Sequence, residues 1–477
     1  MIAQLVLEGA QWLFLGYFLL LNGGYLALTA SALISLRRYL SGGNAAERVY
    51  ARLEIPISLI VPAYNEETTI VASVRALLQL RYQQFEVIVV NDGSRDGTLA
   101  ALTKEFALQP FPEAYRVQVR SKPVRGVYRS LTHPNLRVID KENGGSKADA
   151  SNAGLNAARY PLFYCGDADS VLDPDALRRA VRPFLEDPHT IACGGTVRII
   201  NGCRVRGGFL ERVGLPRNPL ALLQIVEYLR AFLSGRLGWE PLNGLLIISG
   251  AFGLFHRQTV IDAGGYRPEA IGEDMDLVVR LHRLLSARRQ KYRIAFVPDP
   301  VCWTDAPEDL ATLARQRKRW QRGLVDSLRY SRELCFARGS GAAGWVAYPF
   351  FVVFELFGPV AEVCGYFIML LAYLLGLLSL ESFLVFAAVA VGLGVLLSAS
   401  SLLLEELSFH VYPRTRHLLV LFFIAIVENF GYRQLTAFWR VHALIDSLRG
   451  RHVAWGTMKR SVKWQETPRD EGSTPSG

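Results

Sequence analysis

LFYCGDADS, residues 162–170, is an apolar run of strand length that stops at a turn carrying Asp167 and Asp169. Three other stretches follow the same plan: 57–61 runs into PAYNE (62–66), 85–90 into NDGS (91–94), and 136–139 into a polar segment. A helical pattern to about residue 80 follows the first of them. Short apolar runs closed by polar turns and followed by helical periodicity predict an α/β domain, a mainly parallel sheet covered by helices. Ligands of such open sheets bind beyond the carboxyl ends of the strands. Asp92 and Asp167/Asp169 stand at such ends and are expected to share one cleft.

Side chains two apart on an extended segment point the same way. Asp167 and Asp169 therefore present two hard oxygen ligands on one face, suited to Mg2+ or Mn2+ holding a diphosphate. A lone Asp-x-Asp is often only a solvated turn, here with Asp173 capping the next helix. The strand in front of it, the earlier Asp92 and the later Glu273-Asp274 in GEDMDL (272–277) favour a site. Neither GxGxxG nor GxxxxGK[ST] occurs, so the motifs of dinucleotide oxidoreductases and P-loop enzymes are missing.

Outside this region the chain turns apolar. Its 477 residues allow a soluble unit of about 300 plus membrane-embedded parts. Residues 11–36 carry no charge and exceed the ~20 helical residues that cross a hydrocarbon core. Arg37 and Arg38 follow that run, unlike the leading charges of a signal peptide. The positive-inside rule then places the N-terminus outside and the next domain in the cytoplasm. Residues 360–380 and 382–404 predict two spans joined at Glu381, while 344–357 and 418–439 either cross or lie in the interface. A basic tail (Arg440, Arg449, Arg451, Lys459, Arg460, Lys463) belongs to the cytoplasmic side and implies an even number of crossings after the first. These readings divide the chain into a membrane helix (1–40), a cytosolic domain (41–340), membrane or interfacial helices (341–445) and a basic, then disordered, tail (446–477). The net charge of +10 fits positive residues kept inside as well as a phosphorylated ligand or anionic lipid. Six cysteines form no CxxC pair and no metal spacing, as for reduced thiols.

Taken together, VPAYNEE, VVNDGS, NGGSKADASNAG, CGDADS, GEDMDL and QRKRW (316–320), in this order, resemble the membrane-bound processive family-2 glycosyltransferases. That group includes the synthases of poly-β-1,6-N-acetylglucosamine, hyaluronan, chitin and cellulose. EDMD and the WTDAPED stretch (303–309) look most like the poly-N-acetylglucosamine branch, although that branch leads one to expect two N-terminal spans. The resemblance implies a GT-A type, Rossmann-like nucleotide-sugar-binding domain inserted between transmembrane helices of the inner or plasma membrane. It implies an inverting, metal-dependent enzyme that polymerises a UDP-sugar, with UDP-N-acetylglucosamine the best guess, into an exopolysaccharide of biofilm type and moves it across the bilayer. Asp92, with Tyr64 and Glu66 nearby, would then contact uracil or ribose. Asp167 and Asp169 would hold Mg2+ or Mn2+ and the diphosphate, and Arg319 suits the same diphosphate. Lys147 would add a point charge there, or is a surface lysine at a helix start. Asp274 would be the general base, with Glu273 and Asp276 positioning and screening it.

On a helix, Gln316, Arg319 and Trp320 share one face, and Trp320 offers a flat surface for a pyranose. The same basic helix suits anionic lipid. The GAFG stretch, with Gly250 and Phe252, reads either as the loop beside the acceptor or as a buried turn. Residues 218–233 form either an interface helix under the membrane part or a core helix. The basic stretch 109–134 is expected to be a surface excursion and not a nucleic-acid site, lacking interleaved aromatics on a platform. Ionisable groups at membrane depth are costly and face a cavity or a partner. Glu355, Glu362 and Glu428 therefore predict either a polar path for a glycan or helix-to-helix pairing. Regulation, if present, falls to a small membrane partner subunit, since only about 35 polar residues follow the membrane part. Two other functions compete: a non-processive transferase making glycolipid or short oligosaccharides, and a transport subunit with an inactive domain. Intact acidic motifs count against the latter, and the Trp320 motif favours a polymer.

Overall fold

In the computed structural model, residues 2–50, 53–376, 379–412 and 414–450 are described. The chain opens with one continuous helix, Ile2–Tyr50. The strands follow: β1 (Ile57–Ala63), β2 (Phe85–Asn91), β3 (Leu108–Pro110), β4 (Val124–Ser130), β5 (Leu136–Lys141), β6 (Leu162–Cys165), β7 (Val171–Leu172), β8 (Thr190–Ile199), β9 (Arg204–Arg206), β10 (Phe209–Arg212), β11 (Gly253–His256) and β12 (Arg293–Thr304). All but β9 and β10, which pair as a hairpin, form one ten-stranded sheet in the order β3-β4-β5-β2-β1-β6-β11-β8-β12-β7. β5, β2, β1 and β6 run parallel, and β11 turns the sheet antiparallel between β6 and β8. This is the expected α/β class. β1, β2 and β6 are apolar on both faces because helices cover both sides; every residue of β2 and β6 is buried.

The stretch 109–134 is only partly a surface excursion. It supplies β4 and the tip of β3 as the antiparallel edge of the sheet. Its arginines hid the strand, yet charge along an exposed edge is what keeps such an edge from pairing with other chains. The helix after β1 is shorter than expected, Ile70–Leu78.

Among the described residues, two helices are long and apolar enough to cross a membrane, Trp12–Ser41 and Phe383–Ser408. Two bent pairs raise the number to four if each is one span: Ala343–Leu356 with Gly358–Leu374, bent by 42°, and Thr415–Val427 with Tyr432–Leu448, bent by 55°. The 360–380 span thus exists only as the second limb of a kinked pair that includes 344–357. Pro359 sits at the kink, where it tolerates a helix start and interrupts a helix interior. The connection to the next helix precedes Glu381, which lies in the first turn of Leu380–Ser408. Arg451, Lys459, Arg460, Lys463 and the polar end of the tail lie outside the described residues.

The 218–233 helix serves both roles proposed for it. Pro219–Leu229 packs on β8 with one face and on the Leu380–Ser408 and Thr415–Val427 helices with the other. It continues into wide π-helical turns, Arg230–Arg236. Glu227 accepts from Arg317 (2.7 Å) and from Tyr432 (2.7 Å), tying this helix to Leu310–Tyr330 and Tyr432–Leu448. The first helix is also bonded to the sheet domain, Ser31 donating to the Gly238 carbonyl (2.9 Å) and Tyr39 to Asp299.

Candidate active site

The turns after β1, β2 and β6 lie side by side, as strand order requires. Asp92 ends β2 and is almost fully buried. Its Oδ1 accepts from the Gly144 amide (3.0 Å) and from Lys141, a side chain with no exposure that also bridges to Asp149 (2.6 Å). Sequence reading missed Lys141, since a lysine inside a strand carries no motif. Gly93 completes the turn at φ +63°, a left-handed backbone that favours glycine. A Cβ there would stand 2.8 Å from the Asn143 amide nitrogen. Tyr64 is 46% exposed above this turn's neighbour, and the Glu66 carboxylate accepts from Thr69 (2.7 Å).

The second group forms at the end of β6. Lys147 Nζ donates to Asp167 Oδ1 (2.6 Å) and to the Gly250 carbonyl (2.8 Å). The Gly250 amide donates to Asp274 Oδ2 (2.9 Å). Gly250 thus links the Asp-x-Asp turn to Asp274, accepting through its carbonyl and donating through its amide, and Lys147 is held between Asp167 and this loop and not free on the surface. Burial works against its charge, but Asp167, and after it Cys165 and Glu273, hold its pKa above the usual value. Asp274 opens the Glu273–Ala287 helix, where its Oδ1 accepts from the Met275 amide (2.8 Å). Burial, followed by the charge of Asp274, pushes Glu273 up to about 7 against the pull of Lys147. Lys147, Glu273 and Asp274 line one cleft with Cys165, Ile248, Ser249, Gly250, Phe255 and Tyr266. Tyr266 and Cys165 went unpredicted; both are brought in by tertiary packing and their chain positions give no hint.

Some expected residues fall elsewhere. Phe252 is fully buried beside Tyr164 (ring centroids 5.4 Å apart), a core side chain with no face toward a ligand. Asp276 is fully buried between Arg267 (3.0 Å) and Arg280 (2.7 Å) and cannot screen Asp274.

Leu310–Tyr330 carries QRKRW and packs against the Glu273–Ala287 helix. It approaches the start of Glu273–Ala287 through two glycines: a Cβ on Gly323 would lie 2.9 Å from Gly272. Trp320 is 44% exposed, 6.4 Å from the Tyr228 ring, with Arg317 over its face at 4.4 Å. Gln316 is buried, its Oε1 without a hydrogen-bond partner among the described residues.

Asp167 and Asp169 are both partly exposed at the turn. No group of three or more His, Cys, Asp or Glu able to hold a metal occurs among the described residues. Two carboxylates, one already bonded to an ammonium, fit a divalent cation that completes its shell with an incoming diphosphate rather than a resident structural ion.

In the membrane part, Glu428 is fully buried and accepts from Arg230 and Ser398. Glu355 accepts from Tyr25 and Arg440 (3.3 Å), and Glu362 from Tyr366 (3.2 Å). Each carboxylate therefore has a protein partner.

Comparison with known proteins agrees with this geometry. The family model Glycosyl transferase family 2 matches residues 58–227, and Glycosyl transferase family group 2 matches residues 162–399. Poly-β-1,6-N-acetyl-D-glucosamine synthase of Staphylococcus aureus (strain COL) is 28% identical over 267 residues, 56% of this chain and 54% of that protein. Its namesake in Staphylococcus epidermidis is 27% identical over the same length. The chain thus spans about half the length of these curated relatives. A mannosyltransferase of Pyrobaculum calidifontis, solved with GDP-Man and Mn2+, superposes on 87% of this chain and 99% of its own with a TM-score of 0.45 at 19% identity, too loosely to carry an argument. With the two family models reaching from the first strand into the apolar helices, the chain belongs to glycosyl transferase family 2.

Proposed function

We propose that this membrane glycosyltransferase transfers sugar from a UDP-sugar, with inversion, onto the end of a growing polysaccharide, and that UDP-N-acetylglucosamine is the donor. One observation carries the reading: the Lys147–Asp167 pair and Asp274 meet through the carbonyl and the amide of Gly250, with the exposed Trp320 on the neighbouring helix. A leaving-group site and a base thus stand next to a stacking surface. Asp92 and Tyr64 take the nucleoside, while Lys147 and Arg319 face the diphosphate. Asp167 and Asp169 would hold Mg2+ or Mn2+, which neutralises charge on the leaving diphosphate. Asp274 accepts the proton of the acceptor hydroxyl as its oxygen bonds to the anomeric carbon and the carbon–phosphate-oxygen bond breaks, releasing UDP. Attack opposite the leaving group turns an α-linked donor into a β-linked product. Trp320 stacks the acceptor sugar and keeps the polymer end in register. Glu355 and Glu362 mark the side on which the product enters the membrane part; Glu428, closed by Arg230 and Ser398, acts as a helix tie.

The test is the purified protein in lipid nanodiscs, screened with UDP-sugars and Mg2+ or Mn2+ for UDP release and product length. Long polymer from one donor, resistant or sensitive to linkage-specific glycosidases and absent in Asp274→Asn, is expected. Short products or glycolipid replace the processive reading with the non-processive one, and no turnover with any donor overturns both.

A further inference from the structure

Arg236 stands at the end of the π-helical turns that follow Pro219–Leu229, outside every motif of the family. Its guanidinium lies over the Phe232 ring at 3.8 Å. Phe232 in turn neighbours Tyr228 (ring centroids 5.8 Å apart), and Tyr228 neighbours Trp320 at 6.4 Å. An aromatic row therefore leads from the stacking surface to this cation. Two other interface arginines form ion pairs, Arg230 with Glu428 and Arg317 with Glu227, although Arg317 also keeps Nε and Nη1 without a hydrogen-bond partner among the described residues. Arg236 Nη1 is buried and has no hydrogen-bond partner among the described residues. Leaving such a donor unpaired costs about 1–3 kcal/mol or more for a charged group, so its upkeep calls for a ligand. Wide π turns are themselves frequent at functional sites.

Resting on the proposed transferase reading, the geometry points to Arg236 as an acceptor-binding residue that donates to a hydroxyl or amide carbonyl oxygen of the glycan end, beside Trp320 and Tyr228. Guanidinium has donors only, so the occupant must bring lone pairs. A neutral glycan suits the site because its oxygens match the cation and a sugar ring fits the exposed face of Trp320, while Phe232 and Tyr228, both buried, hold the guanidinium in place. The electrostatics agree: burial draws Arg236 down to about 10, with Asp274 first and Tyr228 next opposing the fall, which sets the cation within reach of the proposed base. A lipid phosphate has the same oxygen chemistry and is the competing occupant.

The experiment compares wild type, Arg236→Met and Arg236→Lys in nanodiscs. It measures affinity for UDP, KM and kcat for transfer to oligo-N-acetylglucosamine primers, and transfer to a polyprenyl phosphate. Expected are a rise of about tenfold or more in primer KM for Arg236→Met, partial recovery in Arg236→Lys, and UDP affinity within about twofold of wild type. Should Arg236→Met fail to fold, as loss of its thermal unfolding transition in nanodiscs would reveal, the primer KM of Arg236→Lys decides, with a rise expected there also. Wild-type transfer to primers with unchanged KM in the folded variants, or an equal loss of UDP affinity, overturns this role and leaves the transferase reading standing. Wild-type transfer to polyprenyl phosphate but to no glycan primer overturns this role and replaces the polymer reading with the non-processive one.

Discussion

Within GEDMDL three neighbouring carboxylates serve different ends, and burial decides which. Asp274 accepts from Gly250 at the cleft, whereas Asp276, one turn position on, is sealed between Arg267 and Arg280. Asp274→Asn is expected to keep the melting temperature while cutting UDP release by about 10²–10⁴-fold, the usual share of a general base. Asp276→Ala should do the reverse at first sight: removing the partner of a buried arginine costs about 3–5 kcal/mol and shows as a lower melting temperature. Glu273 gives a pH signature. Its carboxyl titrates near 7 in the fold against an ordinary 4.5, so its contribution to stability is full below about pH 4.5 and is lost as pH rises through about 7. Between about pH 5 and 8 the wild-type melting temperature should therefore fall more than that of Glu273→Gln; parallel curves would refute the assignment. Residue types were legible in the sequence at Asp92, Asp167, Asp274 and Trp320, because acidic turns after apolar strands and an aromatic beside arginines leave a local pattern. Lys141, Tyr266 and Phe252 were not, since whether a side chain faces a cleft or a core depends on strands far away in the chain.

Among the elements, the interface helices hold cleft and membrane part together. Pro219–Leu229 with its π-helical extension meets Leu310–Tyr330 through Glu227 and Arg317, Leu380–Ser408 through Arg230 and Ser398, the end of Thr415–Val427 through Arg230 and Glu428, and Tyr432–Leu448 through Glu227 and Tyr432. Because the Glu428 side chain has no exposure, Arg230→Met strands its charge; a loss of about 3–5 kcal/mol is expected, read as a lower melting temperature in nanodiscs. Arg230→Met with unaltered stability would mean that Glu428 finds another cation or a proton. The strand β4 taught the opposite lesson from β6: β6 announces itself by an unbroken apolar run, while β4 carries Arg125 and Arg129 on a half-exposed edge and reads as a loop.

Across the whole molecule, the membrane helices are continuous with the catalytic unit instead of merely tethering it. The first helix bonds to the sheet domain through Ser31 and Tyr39, and Glu405, deep in the Leu380–Ser408 helix, pairs with the buried Arg198 of β8. The orientation expected from the positive-inside rule puts the start of Leu380–Ser408 outside and the end of Tyr432–Leu448 in the cytoplasm. In a cysteine-free background, Ser379→Cys should react with an impermeant maleimide on intact cells, and Arg449→Cys only after permeabilisation; the reverse pattern would invert the topology. The amino-acid sequence by itself determined the α/β class, the family and the acidic turns, because strand-length apolar runs and their terminal polar residues are local along the chain. It also marked the apolar helices, since length and hydropathy are local too. Only the tertiary structure decided that Gly250 bridges Lys147 to Asp274, that Asp276 and Phe252 turn inward, that Glu428 closes on Arg230, and that Arg236 is left over. Each of those outcomes depends on which distant segment supplies the neighbour, and pairing and desolvation exist only once the chain has folded.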